Sequence, residues 1–159
     1  MDHQRLLLVR SLLDHQQVAS LGTLHQGRPA VSMTPFAVAP ESKSLILHVS
    51  GLASHTRDML TEPGVSLMVM ADRSPDILPQ ALPRLTIAGL ARVCDREDAE
   101  YAAAKAAYLD RFPDSEMMFS LGDFALFLIE PQSVRVVAGF GQAWSLTRTQ
   151  FREALTNED

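Results

Sequence analysis

Leu6, Val9, Leu12 and Leu13 recur at the spacing of one helix face and predict a helix over residues 2–16, with Asp2 as its N-cap. The period then changes. Residues 18–24 are short and partly β-branched, and they run into His25-Gln26-Gly27-Arg28, where Gly27 marks a turn. A second strand is expected from Ala30 to Ala39, bent or placed at an edge by Pro35. Pro40-Glu41-Ser42-Lys43 turns the chain into a third strand over 44–49. Residues 50–60 read as a short helix stopped by Pro63-Gly64, and 65–70 as a fourth strand. Three prolines and no period make 72–83 a loop. In a fifth strand, Leu85, Ile87, Gly89, Ala91 and Val93 face one way, and Thr86, Leu90 and Arg92 the other.

Asp95 is expected to cap an alanine-rich helix ending near Arg111, with Ala99, Ala102, Ala103, Ala106 and Ala107 as a narrow face against a sheet. Two last strands, 124–129 and 133–138, are expected on either side of a turn at Glu130-Pro131-Gln132. Residues 139–144 read as a loop, and 147–155 as a polar helix. Seven or so short strands joined mostly by turns point to an antiparallel barrel, whose closure removes unpaired edges, with helices at its ends.

The chain has 159 residues, enough for one domain with its own core. Residues 1–145 are taken as that domain and 146–159 as a helical tail. A net charge of −5, with 12 Arg and two Lys scattered, argues against nucleic acid as a partner. Cys94, the one cysteine, excludes an internal disulfide, a CxxC site and an iron–sulfur cluster, and suggests a reducing cytoplasm. No apolar run is long enough to span a membrane as a helix. The five histidines, at 3, 15, 25, 48 and 55, form no metal-ligand spacing.

Two polar clusters remain. Ser50, Ser54, His55, Thr56 and Arg57 leave a strand end and open the short helix. Free N–H groups at such a start, with hydroxyls, an imidazole and a guanidinium beside them, suit a phosphate. The same residues also read as an ordinary helix start with a solvated face. Ser32-Met33-Thr34 is the second cluster, either lining a pocket for a flat heteroaromatic ring or standing as outward positions of a half-buried strand.

In order along the chain come Gln26-Gly27-Arg28-Pro29-Ala30-Val31-Ser32, the Ser50…Ser54-His55-Thr56-Arg57-Asp58 helix entry, Pro63-Gly64-Val65-Ser66-Leu67, Arg84-Leu85-Thr86-Ile87-Ala88-Gly89, Gly122-Asp123-Phe124-Ala125-Leu126-Phe127 and Gly139-Phe140-Gly141-Gln142-Ala143. This series resembles the pyridoxamine 5'-phosphate oxidase-like, FMN-binding split-barrel family, and within it the haem-utilisation (HugZ/HutZ-type) branch. The resemblance covers about residues 5–145. It implies a mainly β fold, a six-stranded antiparallel split barrel, and a homodimer with one FMN per subunit. Ser32, Met33 and Thr34 would then lie along the flavin ring, while Ser50, Ser54, His55 and Arg57 hold its phosphate. The implied function is an FMN-dependent oxidoreductase acting on a small substrate. The alternatives are a haem-binding or haem-degrading protein and a non-catalytic flavin carrier. Two departures narrow this. The run 32–37 lacks the Arg and Lys of the vitamin B6 oxidases, and no histidine follows His55 to match the C-terminal iron ligand of the haem branch.

Overall fold

The computed structural model describes residues 3–156. Helix α1 (His3–His15) buries Val9, Leu12 and Leu13, as its periodicity predicts; the Asp2 cap lies outside the described residues. Strands β1 (Val18–His25), β2 (Arg28–Pro35), β3 (Ala37–Val38) and β4 (Leu45–Ser50) follow, then α2 (Ser54–Thr61), β5 (Gly64–Met70) and β6 (Arg84–Val93). Helix α3 (Tyr101–Arg111), a 310 turn (Pro113–Ser120), β7 (Phe124–Gly139), β8 (Gln142–Thr147) and α4 (Arg148–Thr156) complete the chain.

All strand pairs are antiparallel, in the order β2-β1-β5-β6-β7-β4-β3, with β8 also on β7. The two ends of this order, β2 and β3, are separated in sequence by Phe36 alone. The sheet therefore curls until both its edges come from one continuous segment. Phe36 sits fully buried at that corner, and its N–H donates to Gln17 O (3.2 Å). Inward residues Leu21, Leu45, Leu47, Leu67, Val69, Leu85, Ile87 and Phe127 fill the curl, and α1 adds its own apolar face. A second, smaller core lies outside the wall, where Ile46, Cys94, Leu126 and Leu128 meet Ala104, Tyr108 and Phe119.

Several expectations are corrected. The mainly β split-barrel architecture stands, with eight strands among the described residues in place of six. Glu130-Pro131-Gln132 is not a turn: β7 runs straight through it, and pairing with β6 passes from Ala88↔Ser133 to Gly89↔Pro131. Gln132 is thus the extra residue of a β-bulge, which bends a strand without ending it. Bent there, β7 gives its first half to β4 and its second half to β8. Residues 139–144 are not a loop throughout, because Gln142 starts β8 after a turn with Gly141 at φ 72°. Helix α3 starts at Tyr101, not after Asp95, because Arg92 draws Asp98 (2.7 Å) and Glu100 (2.6 Å) into a turn ahead of it. Its sheet-facing side carries Ala104 and Tyr108, whereas Ala99, Ala102, Ala103 and Ala106 are exposed. The C-terminal helix is amphipathic, not simply polar. Phe151 and Ala154 are fully buried, and Thr147 and Gln150 form a reciprocal capping box at its start (2.9 and 3.3 Å).

Candidate functional site

Helix α2 leaves β4 through a tight turn. Ser50 O accepts from Ala53 N (3.1 Å) and from Thr56 Oγ1 (2.6 Å), so the strand end itself fixes where the helix begins. Ala53 occupies the N-cap position and supplies no side-chain cap. The first N–H groups of α2 are therefore open to an outside acceptor, with the positive end of the helix dipole behind them. Ser54 and Arg57 are exposed at this end, and His55 is half-buried.

The opposite side of α2 is anchored. Asp58, buried, accepts from Thr23 Oγ1 (3.0 Å) and from the His25 Nδ1–H (2.8 Å), which ties the helix to β1. Burial pushes the Asp58 carboxyl upward, but the hydrogen bonds from His25 and Thr23 and the charges of His25 and Arg57 outweigh it and hold the pKa below the usual carboxylate value. Met59 beside it fills the main core. Sequence reasoning missed this anchor, since Thr23 and His25 lie more than thirty residues from Asp58. The available signal was an acid in mid-helix immediately before the apolar pair Met59-Leu60.

The second cluster divides. The Ser32 hydroxyl and His55 Nδ1 are hydrogen-bonded at 2.9 Å, which joins β2 to α2. Burial lowers the His55 pKa, with Asp58 partly opposing, so the ring is neutral near pH 7. Thr34 is buried and donates to the adjacent Pro35 O (3.1 Å). Met33 projects from the other face of β2 and is 62% exposed, since side chains alternate along a strand. Ser50 is likewise separated from Ser54 and Arg57. Its hydroxyl donates to Asp123 Oδ2 (2.9 Å) and accepts from Leu52 N (3.1 Å). The geometry brings together Ser32, Ser54, His55 and Arg57 around one helix start; Met33 projects from the opposite face, while Thr34 and Ser50 bond to Pro35 and Asp123 instead.

A guanidinium, a hydroxyl, open helix N–H groups and a neutral imidazole suit a polyatomic anion. A phosphate and a carboxylate both satisfy that description, so these residues fit either an FMN phosphate or a haem propionate. Iron ligation is a different matter. His15 donates from Nδ1 to Ser11 O (2.8 Å), and His25 and His55 are tied through the same atom, which leaves Nε2 as the ring nitrogen each could offer a metal. His48 is buried behind Phe119. Among the described residues no cluster of His, Cys, Asp or Glu is arranged for a metal.

Comparison with known proteins adds chemistry to this geometry. A family model described as "CREG, beta-barrel" matches residues 3–153. The chloroplastic heme oxygenase HOZ of Arabidopsis thaliana is 34% identical over 139 residues, 86% of this chain and 41% of the relative. Heme oxygenase HutZ of Vibrio cholerae is 29% identical over 141 residues, 87% of this chain and 79% of the relative. A heme binding protein from Mycobacterium smegmatis superposes with a TM-score of 0.84 at 28% identity, covering 96% of this chain and 62% of that one. The chain thus spans less than half the length of HOZ.

Proposed function

The chain belongs to the CREG β-barrel family, and we propose that it binds haem. The observation that carries this reading is that both curated relatives are heme oxygenases and align across 86% and 87% of this chain. The FMN-dependent oxidoreductase expected from the sequence has less support, since the candidate pyridoxamine 5'-phosphate oxidase of Listeria innocua is 17% identical and shares the fold alone. The α2 start supplies what a haem carboxylate needs. Arg57 gives a charged donor, Ser54 and the open N–H groups give neutral ones, and the Ser32–His55 pair holds the neighbouring wall in place. Haem supplies the redox chemistry; this chain's residues bind and orient its carboxylate edge.

The reading extends to a homodimer. The outward face of β2, β1, β5 and β6 places small residues, Gly22, Ser66 and Ala88, between Val31, Met33 and Met70, which are exposed. Arg84, the register partner of Met70, marks the edge of this face; an apolar face of this kind is commonly covered in solution, and a twofold contact is the commonest cover. No helix is long and apolar enough to cross a membrane.

The test is a haem titration of the full chain followed by absorbance. The expected result is saturable one-to-one binding that weakens about tenfold in Arg57→Ala, the order of one lost charged hydrogen bond. Loss of the haem band on adding a reductant in air would identify degradation beyond binding. A purified protein that carries flavin and gives no saturable haem spectrum would overturn the reading in favour of FMN.

A further inference from the structure

We infer that the cleft between the start of α1 and the β7–β8 hairpin binds a small organic monocarboxylate, whose charge is met by Arg5 beside the Trp144 indole. None of the α2 residues lines this cleft, so the inference does not rest on the haem reading.

Strand alternation and helical spacing bring its wall together. Trp144 pairs with Val136, which is fully buried, so the indole turns toward the inner side of the hairpin. Gln142, two residues earlier on β8, shares that side. Gln4 and Leu8 are four apart on α1 and meet them across the cleft, with Arg5 alongside. The space they border is about 420 Å3, within the range of about 300–1,000 Å3 usual for small-molecule sites.

Two buried side-chain nitrogens have no hydrogen-bond partner among the described residues, Arg111 Nε and Trp144 Nε1. Arg111 is accounted for by packing. Its Nη2 donates to Asp14 O (3.3 Å) and to Gln16 O, and its guanidinium lies against the Phe36 ring (5.0 Å). Trp144 has no such account, and it is the one of the two that lines a cleft. A buried donor left unpaired is costly, and native interiors pair nearly all of them. Arg5 adds a second unmet group. Its guanidinium lies 4.8 Å from the Trp144 ring, and it is exposed and forms no ion pair among the described residues. A guanidinium over an aromatic face keeps its N–H groups at its edge, where they remain free to donate.

The lining selects the ligand. Arg5 is the one ionisable side chain that borders the cleft, so the site carries a single positive charge. A carboxylate balances that charge and matches the planar guanidinium fork, whereas a phosphate group brings about −1.5 to −2. The Gln4 and Gln142 carboxamides and the indole N–H are neutral donors for the oxygens that Arg5 leaves over. Leu8 and Ala138 give a short organic tail an apolar side to rest on.

Benzoate, with benzamide as the equal-shaped neutral control, tests this on the full chain. Trp144 is the only tryptophan in the sequence, so its fluorescence reports on this cleft, and calorimetry gives the affinities. The expected result is saturable benzoate binding that changes the Trp144 emission, with benzamide about tenfold weaker, the order of one hydrogen bond to a charged group. Arg5→Gln should remove the preference for benzoate, while Arg28→Gln, an exposed arginine outside the cleft, should leave it intact. The inference is overturned by a wild-type protein that does not bind benzoate, by equal affinity for benzoate and benzamide, or by a preference that survives Arg5→Gln. Heat of binding without a change in emission would place benzoate elsewhere, and tighter binding of inorganic phosphate would remove the carboxylate assignment. The wild-type comparison of the two probes stands whatever the variants do.

Discussion

Gly89 is where the barrel wall is tightest, and Gly89→Ala measures what that closeness is worth. The residue sits on the inward face of β6, at the point where pairing with β7 steps across the bulge at Gln132. A Cβ there would stand 2.8 Å from Glu130 O and 2.9 Å from Ile129 Cγ2. Carbon atoms pack best at about 3.5–4.0 Å, so the neighbours must retreat by roughly 0.6 Å or more. One of those neighbours is backbone held in a ladder, and the other is a fully buried side chain. Overpacking of this kind costs about 1–3 kcal/mol. Restricting the unfolded chain by replacing glycine offsets about 0.4–1 kcal/mol. The net loss should be about 1–2 kcal/mol, which for a chain of this size lowers Tm by about 3–7 °C. Gly139→Ala is the control, because nothing lies within 4 Å of its added Cβ and its φ is not positive. Thermal and urea unfolding of the two variants read the difference. A Gly89→Ala protein that melts at or above the wild-type temperature would refute the reasoning.

Burial and Lys105 lower His48 from 6.5 to about 4, so between those values the unfolded chain binds more protons than the folded one. Stability should therefore fall as pH drops from 7 toward 4, by at most about 2 kcal/mol at pH 5, and urea titrations should show that slope reduced in His48→Leu. An unchanged slope would mean that the ring is not the source. For the outward face, light scattering should give about twice the 17.5 kDa of one chain, and Met33→Glu, opposite Ser20 on the same face, should halve it, since a charge cannot be buried there unpaired. A wild-type monomer would remove the homodimer from the proposal.

Alternation and helical period made much of the fold legible. In β6, Leu85, Ile87 and Ala91 are buried while Thr86 and Leu90 are exposed, as their spacing predicts. Local signals failed where a tertiary partner overruled them. Pro131 reads as a turn residue, yet β6 holds the chain extended through it on one side, and the bulge absorbs the mismatch at Gln132. Asp95 reads as a helix cap, but Arg92 from the strand before it claims Asp98 and Glu100 and postpones the helix by a turn. The alanine face was misplaced because alanine marks helix propensity and not burial. Tyr108, the larger apolar surface, decided which side meets the sheet.

The site was legible in part for a related reason. Ser54, His55 and Arg57 are neighbours in sequence, so their meeting at one helix start follows from local geometry. Ser32 joins them only through β-sheet register, because inward alternation on β2 sends Ser32 toward His55 and Met33 away from it. A three-residue run on a strand cannot present all its side chains to one ligand. Reading Ser32-Met33-Thr34 as a unit therefore had to fail at the middle residue. The Thr23–His25–Asp58 anchor was invisible for the converse reason: it has no local spacing at all, and exists only because β1 passes beneath α2. On the proposed reading, that anchor gives the anion site its rigidity. With Asp58 and Met59 fixed to the barrel, the helix start is held at one angle, and Arg57 is the exposed charge beside it that a bound carboxylate would engage. Recognition at α2, as proposed, would thus depend on a carboxylate that faces away from the ligand.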